Sequence, residues 1–237
     1  MDGRFSWCGY EWITSERWGL IHADKPYCWY DNSAVHMNSD KSISLKTHKN
    51  PRYFKDMDLS SPVGVGLISC TTKFSHGRFS IEAKMPSGPN LWPAFWMWSW
   101  DSWPPEIDVF EGYSNTKGGY FKMRFPELLG FWNIQSNVHY RKDGENKMAG
   151  AKNHWLGFKS PERDFIKYEV DWRPDRIDFL WNGKRVRSIK DKLILDQMNS
   201  TTMNVVINNS ITSDADTENP PISEFIVRNF KYYKLNT

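Results

Sequence analysis

Cysteine is scarce in this chain, which has only three in 237 residues. Cys8, Cys28 and Cys70 are scattered, and no two of them have the CxxC spacing of a zinc or redox motif. This spacing argues against a zinc site, and at most one disulfide can form among the three.

Long apolar runs and a strong net charge are absent as well. The longest nearly apolar stretch, residues 91–100, contains Pro93 and is well short of the roughly 20 residues that a spanning helix needs. The opening residues, MDGR, lead into no apolar core of a signal peptide. The net charge is +3, too small to indicate a surface for nucleic acid or for an anionic membrane. We therefore expect neither a nucleic-acid partner nor a membrane span.

Aromatic residues, in contrast, are abundant: the chain has 13 Trp, 10 Tyr and 14 Phe. Tryptophan is demanding in a core because its indole N–H needs a hydrogen-bond partner. So many indoles predict flat binding surfaces in addition to packing. The apolar share of 39% and the charged share of 25% are those of a folded protein and exclude wholesale disorder.

Apolar and polar residues alternate with a period of two along most of the chain, which is typical of strands. Asn182-Gly183 joins two alternating runs and predicts a tight hairpin, because both central residues of a type I′ turn need a positive φ. Only residues 190–198 read as a short helix. Further strands are predicted at 63–69, 95–98, 106–111, 138–141, 166–172, 203–208 and 224–233. This pattern favours an all-β sandwich or barrel, in a single domain over residues 1–237.

Three carboxylates stand close together in a segment that otherwise reads as a strand, EIDVFE at 106–111. Glu106 and Asp108 are two residues apart, so their side chains leave the same face of a sheet. Strict alternation would turn Glu111 to the opposite, apolar face. A single β-bulge near residues 109–110 would shift the parity and return Glu111 to the face of the other two acids.

Such a row of acids is unfavourable for stability, but it suits chemistry in which one acid is ionised while another keeps its proton. Hydrolysis of a glycoside by double displacement needs a nucleophile and a general acid/base with this property. Two other readings remain open from the spacing alone. The acids can mark an ordinary exposed strand face, or they can bind Ca²⁺ or Mg²⁺, although calcium loops usually include Asn, Gly and backbone carbonyls.

The segment just upstream carries five tryptophans between Trp92 and Trp103. Flat indoles stack on the apolar C–H faces of sugar rings. On a strand, Trp96 shares a face with Trp98 and Trp100, and each of these can equally serve as core. Trp92 and Trp103 lie beside turn residues, where exposure in a cleft is favoured.

Several stretches together resemble glycoside hydrolase family 16, the family of laminarinases, lichenases, agarases and carrageenases. The most specific is EIDVFE at 106–111, and the flanking stretches are GRFSIEAKMP at 77–86, LWPAFWM at 91–97, YEVDWRPDRI at 168–177, VVIN at 205–208 and FIVRNF at 225–230. The resemblance extends over about residues 43–233. Its ExDxxE spacing is similar to the bulged, laminarinase-like branch and differs from the ExDxE form of lichenases.

The resemblance implies a β-jelly-roll of two curved antiparallel sheets with a substrate cleft on the concave face. It assigns Glu106 as nucleophile, Asp108 as its assisting acid and Glu111 as acid/base, with His139 near the acid/base. Trp92, Trp96 and Trp103 are expected to bind substrate together with His139. No cofactor is expected, although relatives often carry a structural calcium ion far from the cleft. The resemblance also implies a secreted, periplasmic or cell-surface protein, and we expect a monomer.

The resemblance favours a retaining endo-β-glycanase, with β-1,3- or mixed-linked β-glucan as the first reading of its substrate. A galactan-type substrate such as agar, carrageenan or a host glycan is the second reading. Pro104-Pro105 before the first acid and the short loop after Trp98 depart from the laminarinase pattern and leave the linkage open. A carbohydrate-binding relative without catalysis is the competing class, although it should have lost one of the acids. An intracellular interaction protein is the third reading and draws only on the absent leader.

Overall fold

The alternating runs form strands in the computed structural model, which describes residues 3–114, 120–122, 131–151 and 159–235. One short α-helix, α1 (Lys192–Asn199), lies where residues 190–198 predict it, and Asp191 caps its first turn by accepting from the Ile194 amide. The strands are β1 (Arg4–Trp7), β2 (Tyr10–Ile13), β3 (Cys28–Tyr30), β4 (Val35–Met37), β5 (Ile43–Phe54), β6 (Leu59–Val65), β7 (Leu67–Cys70), β8 (Gly77–Lys84), β9 (Leu91–Trp98), β10 (Glu106–Gly112), β11 (Phe121–Lys122), β12 (Phe131–Trp132), β13 (Ile134–Lys142), β14 (Glu145–Ala151), β15 (Ile166–Arg173), β16 (Arg176–Trp181), β17 (Lys184–Ile189), β18 (Asn204–Ile211) and β19 (Ser223–Lys234).

Two large sheets contain most of these strands. The first sheet has the order β1-β2-β7-β18-β9-β10-β13-β14, and the second has β17-β16-β15-β8-β19-β5-β6-β3 with β4 beside β5. The predicted two-sheet jelly-roll is confirmed, but its purely antiparallel description was wrong in one place, because β3 pairs with β6 in parallel. The single-domain assignment stays a prediction. Among the described residues no helix is long and apolar enough to cross a membrane.

The core lies between the sheets and takes the apolar face of each alternating strand. Phe79 and Ile81 of β8 are fully buried there, as are Phe95 and Met97 of β9 and Ile107 of β10. Because successive side chains of a strand point to opposite faces, the polar and indole residues of β9 and β10 emerge on the outer face of the first sheet. That outer face is free to form a site.

The Asn-Gly hairpin is confirmed, since Asn182 and Gly183 have φ values of 49° and 77°. The predicted strand 63–69 was wrong, because the chain changes sheets at Gly66 between β6 and β7. A Cβ at Gly66 would lie 2.8 Å from the carbonyl oxygen of Ala34 and from Cα of Leu45. Only glycine permits this close passage from one sheet to the other.

The N-terminal hairpin β1–β2 was not predicted as strands, yet it is part of the core. Trp12 is fully buried, and its indole donates to the carbonyl of Trp7 at 3.0 Å. Its ring packs edge-on against Phe230 of β19, with centroids 5.2 Å apart. The hairpin is therefore anchored to the second sheet by aromatic packing.

We expect Trp12→Ala to lower the free energy of unfolding by about 3–5 kcal/mol, because a large buried ring leaves a cavity when it is removed. Chemical denaturation followed by tryptophan fluorescence measures the change. Tyr233→Ala, at a ring that is 55% exposed, is the matched control and should change stability by less than about 0.5 kcal/mol. Equal stability of the two variants would contradict the anchoring role of the hairpin.

Candidate active site

A β-bulge in β10 brings the three acids to one face of the first sheet. Asp108 pairs with Asn137 of β13, and Glu111 pairs with Gln135, so two residues of β10 between them stand opposite one residue of its neighbour. The same shift occurs against β9 between Asp108 and Phe110. The apolar residues of β10 are all fully buried. The predicted bulge is confirmed, and with it the common face of Glu106, Asp108 and Glu111.

These acids line a cleft of about 680 Å³ on the outer face of the first sheet. Every residue that the sequence singled out for this site borders the cleft. Its described lining comprises Trp18, His22, Asp24, Lys25, Cys28, Tyr30, Trp92, Ala94, Trp96, Trp98, Trp103, Glu106, Asp108, Glu111, Tyr113, Gln135, Asn137, His139, Met148, Asn208 and Ser210.

Glu106, which is partly buried, and Asp108, which is buried, form one acidic pair in the cleft. The two side chains leave the same face of β10 two residues apart, and the charge on one carboxyl acts on the other. Burial, first, and the neighbouring charge of Asp108 raise the pKa of Glu106. Burial and the charge of Glu111 raise the pKa of Asp108. Asp108 is the less exposed of the two, which favours the proton on Asp108 and the negative charge on Glu106.

His139 and Trp103 orient this pair from the side. Nε2 of His139 lies 3.4 Å from Oε1 of Glu106 and 3.2 Å from Oδ2 of Asp108. The indole of Trp103 donates to Oε2 of Glu106 at 2.9 Å, and its ring lies 5.8 Å from that of His139. The prediction that His139 lies near the acid/base was wrong in detail, because β13 pairs it with Glu106 at the opposite end of the row.

Glu111 is held by three donors. Trp92 donates to Oε1 at 3.0 Å and Tyr113 donates to the same oxygen at 2.7 Å, while the amide of Asn137 donates to Oε2. Burial and the charge of Glu111 raise the pKa of the Tyr113 phenol, which keeps it a donor. This carboxyl is thus fixed in direction, independently of the other two acids.

The three predicted tryptophans differ in their surroundings. Trp103 is 43% exposed and presents part of its surface to the cleft. The ring of Trp92 is stacked on Tyr113 with centroids 5.4 Å apart, and the ammonium of Lys25 lies 4.4 Å from its centroid. Trp96 donates to Asn208 at 2.8 Å and forms part of the cleft floor. Trp92 therefore orients Glu111, and substrate binding by these indoles stays a prediction.

One group of side chains has the composition of a metal site. Ligand atoms of Glu106, Asp108 and His139 all lie within 4.8 Å of one another, and this is the only such group among the described residues. The same three side chains are equally arranged as a carboxyl pair that the imidazole orients, as described above. The structural calcium away from the cleft stays a prediction.

The sequence missed one whole wall of the cleft, contributed by the segment between β2 and β3. Trp18 and Lys25 come from this segment, which has no regular period and gave no signal. Asn137 could have been found, because it lies two residues from His139 on β13 and therefore shares its face. Tyr113 lies just beyond the end of β10, where strand alternation gives no direction.

Gly150 of β14 pairs with Asn137 and leaves room for its amide. A Cβ at Gly150 would lie 2.5 Å from Oδ1 of Asn137, so we expect Gly150→Ala to displace this amide from Glu111. Turnover should then fall by about tenfold or more, as for a misplaced catalytic group. Steady-state kinetics test this, with Lys147→Ala on the same strand as the control. Wild-type turnover in Gly150→Ala would show that Asn137 does not position Glu111.

Comparison with known proteins agrees with this geometry. The family described as Glycosyl hydrolases family 16 matches residues 22–223. The glucan endo-1,3-beta-glucosidase A1 of Niallia circulans is 26% identical over 70% of this chain and 24% of its own length. The glucan endo-1,3-beta-glucosidase of Cryptopygus antarcticus is 32% identical over 46% of this chain and 38% of its own length. This chain thus spans about a quarter to two-fifths of these relatives.

Other similar proteins differ in their described roles. The beta-1,3-glucan-binding protein of Penaeus monodon is 27% identical over 45% of this chain and 29% of its own length. The crystal structure of LamAcat from Zobellia galactanivorans has a TM-score of 0.72 and 15% identity, covering 91% of this chain and 89% of its own. A structure described with endo-acting O-glycanases, expressed by human gut microbiota to initiate mucin breakdown, has a TM-score of 0.72 and 21% identity, covering 98% and 87%. These structures share the fold.

Proposed function

Because the chain belongs to glycosyl hydrolases family 16, we propose that it is a retaining endo-β-glycanase that hydrolyses β-1,3- or mixed-linked β-glucan. The observation that carries this proposal is the bulge in β10, which sets Glu106, Asp108 and Glu111 in a row along a tryptophan-lined cleft. An exposed strand face does not explain three acids of which Asp108 and Glu111 are buried, and of which Glu106 and Glu111 are held by indole donors.

The reaction proceeds by double displacement. A carboxylate oxygen of Glu106 attacks the anomeric carbon, the glycosidic C–O bond breaks, and Glu111 gives its proton to the leaving oxygen. Water then attacks the glycosyl ester, Glu111 takes a proton from that water, and Glu106 leaves as a carboxylate. Asp108, the more buried of the pair, keeps its proton and so leaves the negative charge on the nucleophile.

The β-glucan assignment is supported by the two relatives named as endo-1,3-beta-glucosidases. The competing binding-protein reading is supported by a relative named for glucan binding, but this chain keeps all three acids. The galactan or host-glycan reading is supported by the O-glycanase structure, which matches 98% of this chain. We retain it as the second candidate for the substrate, with the same mechanism.

Two further properties belong to the proposal. The enzyme acts outside the cytoplasm, since a polysaccharide does not cross a membrane intact. It acts as a monomer, because the acids, their partners and both cleft walls come from one chain.

The test is reducing-end release from laminarin, mixed-linkage glucan, xyloglucan, agarose, carrageenan and mucin-type glycans. We expect activity on laminarin or mixed-linkage glucan, oligosaccharide products from chain interiors, and first-formed product of unchanged anomeric configuration in proton NMR. An inverted first product would overturn the double displacement. Activity confined to agarose, carrageenan or mucin glycans would move the assignment to the second candidate. Binding to one of these substrates without hydrolysis of any of them would support a carbohydrate-binding protein without catalysis.

A further inference from the structure

A fourth acid, Glu16, lies buried beneath one wall of the cleft and takes no part in the mechanism above. It is 3% exposed. Its Oε1 accepts from the Ser69 hydroxyl of β7, and its Oε2 accepts from the Trp98 indole of β9 at 3.2 Å and from the Arg17 amide at 3.3 Å. Burying a carboxyl costs free energy unless such donors satisfy it. We therefore examined what the contacts of Glu16 hold in place.

Glu16 also begins the tight turn that carries Trp18 into the cleft. Its amide donates to the Gly19 carbonyl at 3.1 Å, and the Gly19 amide donates back at 2.9 Å. Gly19 has a φ of 104°, which only glycine adopts without strain. The ring of Trp18, 38% exposed, then lies against Trp98 with centroids 5.0 Å apart.

The carboxyl of Glu16 is therefore the polar link between the turn and the sheet. On one side it holds the backbone of the turn, and on the other it holds the indole N–H of Trp98. Trp18 and Trp98 both line the cleft, and their relative placement depends on this link.

We propose that Glu16 is a positioning residue for substrate binding, which fastens the N-terminal wall to the sheet and so sets the indole platform of Trp18 and Trp98. This inference rests on the proposed function for the identity of the ligand, a β-glucan chain. It assigns no chemistry to Glu16, whose part is to hold the surface that receives the sugar rings.

The charge state of Glu16 gives the link a pH dependence. Burial, and to a smaller extent the charge of Glu106, raise the pKa of Glu16 to about 7. Among the described residues, the other titratable group that faces it is the Tyr30 phenol, whose pKa is raised by burial and by the charge of Glu16. A raised carboxyl pKa means that stability is present at low pH and is lost as the pH rises through about 7. When Glu16 ionises, moving the segment that carries Trp18 away from the sheet lets water hydrate the carboxylate. This segment is therefore held less firmly above that pH.

The experiment compares Glu16→Ala with Glu16→Gln on laminarin oligosaccharides. We expect the alanine variant to raise KM about tenfold, the loss of one ring contact, with kcat within threefold. The glutamine variant keeps an acceptor and should restore KM to within twofold. Wild-type KM should rise between pH 6 and pH 8, and that of Glu16→Gln should not. Glu11→Ala, an exposed acid bonded to Arg4 on the same N-terminal stretch, is the matched control.

Tryptic cleavage after Arg17 gives a second readout that needs no activity. We expect faster cleavage in Glu16→Ala and in Trp98→Phe, which keeps the ring but removes the donor, and wild-type cleavage in Glu16→Gln and Glu11→Ala. Wild-type KM and cleavage in Glu16→Ala would overturn the inference. If that variant does not fold, unchanged cleavage in Trp98→Phe overturns it. A wild-type protein inactive on every β-glucan would defeat the proposed function alone, since cleavage after Arg17 still decides whether Glu16 fastens the wall.

Discussion

Replacing Glu106 with glutamine is expected to lower kcat by about 10⁴-fold or more, the scale of loss when an enzyme's nucleophile is removed. Glutamine has nearly the same shape and still accepts from the indole of Trp103, so the cleft and its substrate affinity should persist. What disappears is the oxygen charge that forms the glycosyl ester. Initial rates of reducing-end release measure the loss.

Asp101→Asn is the control for this variant, because Asp101 lies close by in sequence, is exposed and bonds only to Lys73 among the described contacts of its carboxyl. It should keep wild-type turnover. Addition of azide to Glu106→Gly, with a laminaribiosyl substrate bearing a good leaving group, should give the α-glycosyl azide, since azide then replaces the carboxylate on its own face. Residual turnover within tenfold of wild type in Glu106→Gln would sink the nucleophile assignment.

Replacing Glu111 with alanine is expected to slow the cleavage of a substrate with a poor leaving group much more than that of a substrate with a good leaving group. On laminarin, whose leaving sugar needs a proton, the rate should fall by about 10²–10⁴-fold, as for loss of a general acid. On a dinitrophenyl β-laminaribioside the first step needs no proton, so the glycosyl-enzyme should form quickly and accumulate. Burst kinetics of dinitrophenolate release measure this difference.

Azide should accelerate the alanine variant at Glu111 and yield the β-glycosyl azide, the opposite anomer to that expected from the Glu106 variant, because two displacements then occur. Tyr113→Phe is the matched partner: it removes one donor to Glu111 and should cost far less than the acid itself. An equal loss on both substrates, or an α-azide product, would exclude Glu111 as the acid/base.

The acids and their common face could be predicted from the sequence because each rests on local geometry. Period-two alternation locates β8, β9 and β10, and the two-residue spacing of Glu106 and Asp108 places them on one face. The bulge could be predicted because Glu111 is an acid at a position where strict alternation would place an apolar residue. Side-chain direction along one strand depends only on residues close in sequence, so it can be predicted without knowing the rest of the fold.

The wall of the cleft could not be predicted in this way. Trp18 and Lys25 belong to an irregular segment whose place depends on distant partners, Trp98 and Trp92 respectively. The sheet change at Gly66 was hidden for the same reason, since the carbonyl of Ala34 that requires glycine there comes from another part of the chain. Which of the acids His139 lies beside depends on the register between β13 and β10, and alternation within one strand does not determine that register.

The bulge in β10 also has a consequence for insertions and deletions. Losing one residue between Asp108 and Glu111 would remove the bulge and restore plain alternation, yet all three acids would still leave the same face of the strand. The spacings ExDxxE and ExDxE are therefore interchangeable in side-chain direction, whereas a change of one residue between Glu106 and Asp108 would turn one of those two acids toward the core. A single-residue indel at this one position is thus a route by which the active site can change its length and keep its reaction.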